Sequence, residues 1–122
     1  EVIMNVTFYS LDSLNNKVFF KEKGTLDKNI LIFNDKSVEN TKIYLTINDD
    51  NIILDRIGNV KMHMHFINGI ETNGFFENEL GLQFKMNILT SKLIIKTNKI
   101  EIEYSLFLDG NMLSSHKIWI LF

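Results

Sequence analysis

The chain of 122 residues contains no cysteine. That removes disulfides, thiolate metal centres and cysteine nucleophiles together, and a cytoplasmic address is the simpler expectation. Proline and alanine are absent as well, and Arg56 is the only arginine. Ile, Asn and Lys are used heavily instead. This is the bias of A+T-rich coding, so the many Asn and Lys side chains are not read as chemistry. No run approaches the ~18 apolar residues of a helical membrane span. No stretch sustains an i, i+3, i+4, i+7 apolar pattern with helix caps; the weak exception, residues 10–16, reads as a loop. There is no basic surplus either. The formal net charge is -2, and both signs are scattered along the chain. Composition therefore argues against a general nucleic-acid binder and against a polybasic membrane patch. No G-x-S-x-G, P-loop, H-E-x-x-H or dinucleotide fingerprint occurs. The chain opens on Glu1 rather than Met, so it reads as a fragment, a processed form or a trimmed chain, and a removed leader is compatible with it.

What the sequence does contain is alternation. In Val60-Lys61-Met62-His63-Met64-His65-Phe66, the apolar residues share one face and Lys61, His63 and His65 the other. Successive strand residues point to opposite faces, so this predicts a half-buried β-strand. Similar segments are predicted over residues 2–10, 17–25, 30–33, 42–48, 52–57, 60–67, 70–77, 82–88, 92–96, 99–108 and 112–122. A bend is expected at Leu89-Thr90-Ser91. Polar turns separate the segments; Asn68-Gly69 and Asp109-Gly110 are strong hairpin signals because both positions tolerate positive φ. Consecutive hairpins with one apolar face per strand make an antiparallel meander, and closing it into a barrel buries that face and removes the edges. The expectation is one all-β domain over residues 1–122, a single antiparallel barrel of about eight to ten strands.

Residues 53–122 carry a family likeness. It rests on Arg56-Ile57-Gly58-Asn59-Val60-Lys61-Met62, then Phe66, Gly69, Gly81 and Thr90. Ile100-Glu101-Ile102-Glu103-Tyr104 and Ile118-Trp119-Ile120 complete it. In these positions the chain resembles the YwiB-like bacterial proteins, a calycin-like β-barrel family of unknown function. The resemblance implies a lipocalin-like antiparallel barrel in the cytoplasm and implies no activity. The G-x-W signature of true lipocalins is missing, since the single tryptophan, Trp119, lies at the other end of the chain.

Four groups of residues are candidates for a site. His63 and His65 leave one face about 6.6 Å apart along the strand, but a metal needs a third ligand, so a solvated face beside Lys61 is preferred and no metal is expected. Arg56 suggests a task Lys cannot perform, such as a bidentate clamp on a carboxylate or stacking on an aromatic ring. Its face depends on register: a two-residue Gly58-Asn59 loop turns it outward, and a three-residue loop starting at Ile57 pairs it with Val60 and turns it inward. The structural alternatives are an ion pair with Asp55 or a Glu, or packing against Trp119. Met4, Met62, Met64, Met86 and Met112, with Phe8, Phe66, Phe84 and Tyr104, would either line a soft apolar cavity or fill the core. Asp55, Glu101 and Glu103 could be paired carboxylates, but Glu101 and Glu103 fall on a polar face, so a solvated surface is preferred.

The function expected from these residues is non-enzymatic: a barrel holding a small apolar or amphipathic ligand inside. Arg56 would hold its polar end, and Met62, Met64, Phe66, Phe84, Met86 and Tyr104 would contact the rest. No catalytic residue or cofactor is assigned. The alternative is a protein-interaction module with a closed, fully packed core, and a homodimer is among its forms. Interior volume separates the two, because a void of a few hundred Å3 suits a ligand site.

Overall fold

Alternation closes the chain on itself. The computed structural model describes residues 1–122. Ten strands follow in order: β1 (Val2–Asp12), β2 (Lys17–Asp27), β3 (Ile30–Asn34), β4 (Thr41–Ile47), β5 (Asn51–Gly58), β6 (Lys61–Ile67), β7 (Glu71–Glu77), β8 (Gln83–Lys96), β9 (Lys99–Leu108) and β10 (Asn111–Leu121). Each pairs antiparallel with the next, and β10 pairs with β1, giving a closed meander barrel. The turns after β1, β3, β5, β7 and β9 therefore gather at one end, called the upper end below. The other turns and both termini gather at the lower end.

The inward face is apolar because the alternate residues are. Val6, Phe8, Leu31, Ile43, Leu45, Ile52, Leu54, Met64, Phe66, Ile88, Ile100, Ile102 and Ile120 are buried to within 1%. Aromatic rings fill the middle: Phe8 stacks on Phe20 with centroids 5.0 Å apart, and Phe66 meets Tyr104 at 4.8 Å. Met4, Leu26, Ile47, Ile95 and Phe122 pack against this core toward the lower end. These buried side chains form one hydrophobic cluster inside the barrel.

Details of pairing depart from the sequence expectation. Segments 82–88 and 92–96 are one strand, with a register shift between Thr90 and Lys92 where the bend was expected. Such a bulge inserts one unpaired residue and bends the strand without ending it. β1 runs on to Asp12, and β6 begins at Lys61 rather than Val60. Asp109 and Gly110 both take positive φ (51° and 78°), as a type I′ turn requires, but at Asn68-Gly69 only Gly69 does (75°). In β6, Met64 and Phe66 are buried as expected, whereas Val60 and Met62 are only half-buried, because they sit at the upper end.

Gly58 explains why the Arg-Ile-Gly-Asn run needs its glycine. A Cβ there would lie 2.0 Å from the Asn40 carbonyl oxygen and 2.6 Å from the Thr41 Cα, and φ is +155°. The β3–β4 loop thus presses on the backbone at the end of β5. Gly58→Ala is expected to cost ~2 kcal/mol or more through this strain. Urea denaturation measures it, and a loss under ~0.5 kcal/mol, the ordinary surface value, would contradict the close approach.

Candidate functional site

That loop carries the partner of the lone arginine. Gly58 ends β5 against β4 and has no partner in β6, so three residues, 58 to 60, separate the last β5–β6 pair, Ile57 with Lys61, and Arg56 pairs with Met62. This is neither register considered from sequence, yet it turns Arg56 inward, on the face of its other neighbour, the fully buried Ile43. Arg56 Nε donates to Asp35 Oδ2 at 2.9 Å, and Nη1 lies 3.2 Å from the Met62 sulfur. The Asp35 side chain is fully buried and that of Arg56 is 16% exposed. Asp35 Oδ1 accepts from the Ser37 amide at 2.9 Å and from the Ser37 hydroxyl, and the Asp35 amide donates to the Thr41 carbonyl. A buried charge is tolerated when paired and hydrogen-bonded in this way.

The structural partners considered from sequence are therefore corrected. Asp55 neighbours Arg56 in the strand and points the opposite way, where its Oδ1 meets His63 Nδ1 at 2.6 Å. Trp119 packs on Tyr9 with centroids 5.0 Å apart, away from Arg56. An inward arginine lacking a protein carboxylate would have marked an anion site; Arg56 has Asp35.

The remaining candidates divide by depth. Arg56, Met62, Phe76 and Phe84 are successive register partners across β5 to β8 at the upper end. Phe76 and Phe84 stack with centroids 6.5 Å apart, and Phe84 is 44% exposed. One level in, Met86 and Met64 are buried, and Phe66 and Tyr104 pack deeper against each other. Arg56, Met62 and Phe84 thus line a mouth, while Met64 and Phe66 belong to the filled core.

Sequence reading passed over a polar group on the inner wall. His116 is the register partner of Tyr104 on one side and Asp12 on the other. Its ring lies flat on Tyr104, 4.8 Å away and 9° from parallel, and its Nε2 is 2.6 Å from Ser114 Oγ. Thr90, opposite Tyr104 in β8, buries a hydroxyl with no hydrogen-bond partner. Burial pushes the His116 pKa down, with the charge on Asp12 opposing. The Asn16 side chain, helped by the Asn16 and Leu14 amides, holds the Asp12 carboxyl below its usual range.

Burial also pushes the Tyr104 hydroxyl up to about 12 from an ordinary 10.0. The unfolded chain then loses this proton first, so stability falls as pH rises from about 10 to about 12. At ~1.4 kcal/mol per unit the two-unit shift amounts to ~3 kcal/mol. Tyr104→Phe is expected to remove this part of the alkaline loss. Melting wild type and variant between pH 9 and pH 11.5 is the check, and parallel curves would refute a buried neutral tyrosine.

Polar contacts and ion pairs line part of the outer wall. His63 meets Asp55 and stacks on Phe75 at 6.0 Å, and His65 Nε2 is 3.0 Å from Asn51. Glu101 and Glu103 lie among Lys92, Lys99 and Lys117 at 2.9–3.6 Å. The hydrogen bond between Lys92 and Glu101 raises the lysine pKa and lowers the glutamate pKa. Of the five main clefts, about 260 to 900 Å3, one touches Asp12, Tyr104 and His116 and another touches Met86, and neither Arg56, Met64 nor Phe66 lines any of them. No helix is long and apolar enough to cross a membrane.

Comparison with known proteins agrees with this architecture. No curated protein matches the chain. The crystal structure of the YwiB protein from Bacillus subtilis matches over 98% of this chain and 90% of its own, with a TM-score of 0.68 and 15% identity. That likeness shows the closed-barrel fold. The family model for a domain of unknown function, DUF1934, matches residues 7–120. The chain belongs to that family, a YwiB-like closed antiparallel barrel of ten strands.

Proposed function

We propose that the protein is an interaction module of the cytoplasm, a single domain whose packed barrel is a rigid stand for an apolar rim. The carrying observation is where five of the exposed apolar side chains stand. Leu80, Leu82 and Phe84 lie on the β7–β8 hairpin, and Met112 and Leu113 open β10; their exposure runs from 44% to 85%. β8 and β10 flank β9, so the two tips stand beside each other at the upper end. Contiguous exposed apolar surface of this kind marks sites of association. The occupant is another protein, and a second copy of the chain is the simplest form of it. Sedimentation of wild type against Leu82→Glu/Met112→Glu tests the dimer, and pull-down from host extract with both proteins tests a different partner. The reading fails if the folded double variant associates as wild type does.

A second reading is supported by the Arg56 fork, of which Asp35 takes only Nε. An amphipathic molecule could place an oxyanion on the Nη edge and its tail on Met62, Phe84 and Met86, as a shallow version of lipocalin-like binding. Tyr104 would floor the site. Met64 and Phe66 would be reached only by a tail that displaces them. Native mass spectrometry of protein from its own host tests this. Retention of a small molecule by wild type and its loss in Arg56→Lys would favour it over the rim.

A further inference from the structure

The inner wall holds a pair that neither reading uses. Ser114 and His116 are two apart in β10 and share its inward face. The bulge between Met112 and Ser114 absorbs Leu113, so Ser114 keeps the phase of His116 while Met112 falls out of it. Ser114 Oγ and His116 Nε2 are 2.6 Å apart, within the reach that activates a nucleophile. Tyr104 holds the imidazole plane, and burial favours the neutral imidazole, whose Nε2 accepts from Ser114 in the tautomer protonated at Nδ1. The charged groups facing it are Asp12 from β1 and Arg56 from β5, both near enough to act on its titration.

We propose that Ser114 is a nucleophile and His116 its general base, able to accept a small acyl or phosphoryl group from an activated ester or acid fluoride. Oγ adds to the carbonyl carbon or the phosphorus while its proton passes to His116 Nε2. The bond to the leaving alkoxide or fluoride then breaks, and His116 returns the proton to it. The group stays on Ser114 as an ester until water, deprotonated by the same imidazole, releases it. At 7% exposure Ser114 admits only a small group. The proposal stands whether or not the rim docks a partner.

The test is to treat the full chain with diisopropyl fluorophosphate, which esterifies an activated serine and releases fluoride, and to map the label by peptide mass spectrometry. The expected result is one label on Ser114, absent from Ser114→Ala and ~100-fold slower in folded His116→Gln, as loss of a general base usually brings. Should His116→Gln not fold, the pH profile of wild-type labelling decides instead. It should rise with deprotonation of His116 and level off, with its midpoint below 6.5. An unlabelled Ser114, an unchanged rate in His116→Gln, or a rate indifferent to pH would each overturn the proposal and leave the pair structural.

Discussion

Met64→Asp is expected to leave the chain unfolded at neutral pH. Met64 is 1% exposed, opposite the fully buried Leu54 and deep in the filled barrel. Losing a buried methionine side chain costs ~2–5 kcal/mol by itself. The new carboxylate has no cation in register, so it must be protonated or buried charged. Burial raises its pKa by three units or more, so at pH 7 it folds protonated, at a cost of ~4 kcal/mol. Together these come to ~6–9 kcal/mol, on the scale of the ~5–15 kcal/mol that holds a domain of this size folded. Met64→Leu keeps the volume and should cost under ~1.5 kcal/mol. His63→Ala, one residue away on the outer face, loses a half-exposed pair with Asp55 worth under ~1 kcal/mol. Far-UV circular dichroism and urea melts of the three variants make the comparison. A folded Met64→Asp, or a His63→Ala as damaged as it, would contradict the faces assigned to β6.

The faces could be read from sequence because a strand repeats every two residues. Met64 to Phe66, Met86 to Ile88 and Ile100 to Tyr104 each write their inward side directly into the chain. Short turns between them leave the meander as the simplest connection, and ten such strands close. What could not be read is anything that depends on the offset between strands. One extra loop residue, Val60, sets which residue of β6 meets Arg56, and the alternation on either side is indifferent to it. The rise of Lys61 over Val60 as the first residue of β6 has the same origin.

The site was less legible than the fold for a related reason. Asp35 lies 21 residues before Arg56 in a loop, where an aspartate reads as turn chemistry. Its role appears only once β3, β4 and β5 are side by side and Gly58 lets the loop settle on β5. Ser114 and His116 did carry a usable signal, since a serine and a histidine two apart on a strand share a face, as His63 and His65 do. The Leu113 bulge hid it by breaking the phase with Met112. Filling of the interior was not legible either. The same Met and Phe residues suit a cavity or a core, and their packing is set by the radius of the closed barrel.

Asp35→Ala is expected to be among the most damaging changes of a charged residue in this chain. It strips Arg56 of its carboxylate and frees the Ser37 amide that shapes the β3–β4 loop. Breaking a buried pair by removing one partner costs ~3–5 kcal/mol. Arg56 keeps 16% of its side chain in water, so the lower end, ~3 kcal/mol, is expected here. Arg56→Met removes the charge while keeping much of the bulk, but leaves the fully buried Asp35 carboxylate uncompensated, so it should cost as much or more. The double variant leaves neither charge buried and should recover most of the loss, with a coupling of ~2 kcal/mol. Urea melts of the four proteins at pH 7 complete the cycle. Additive losses would mean that water, not Asp35, neutralises the guanidinium. In that case the Arg56 fork would stand open to an anion from outside, and the small-ligand reading would gain over the rim.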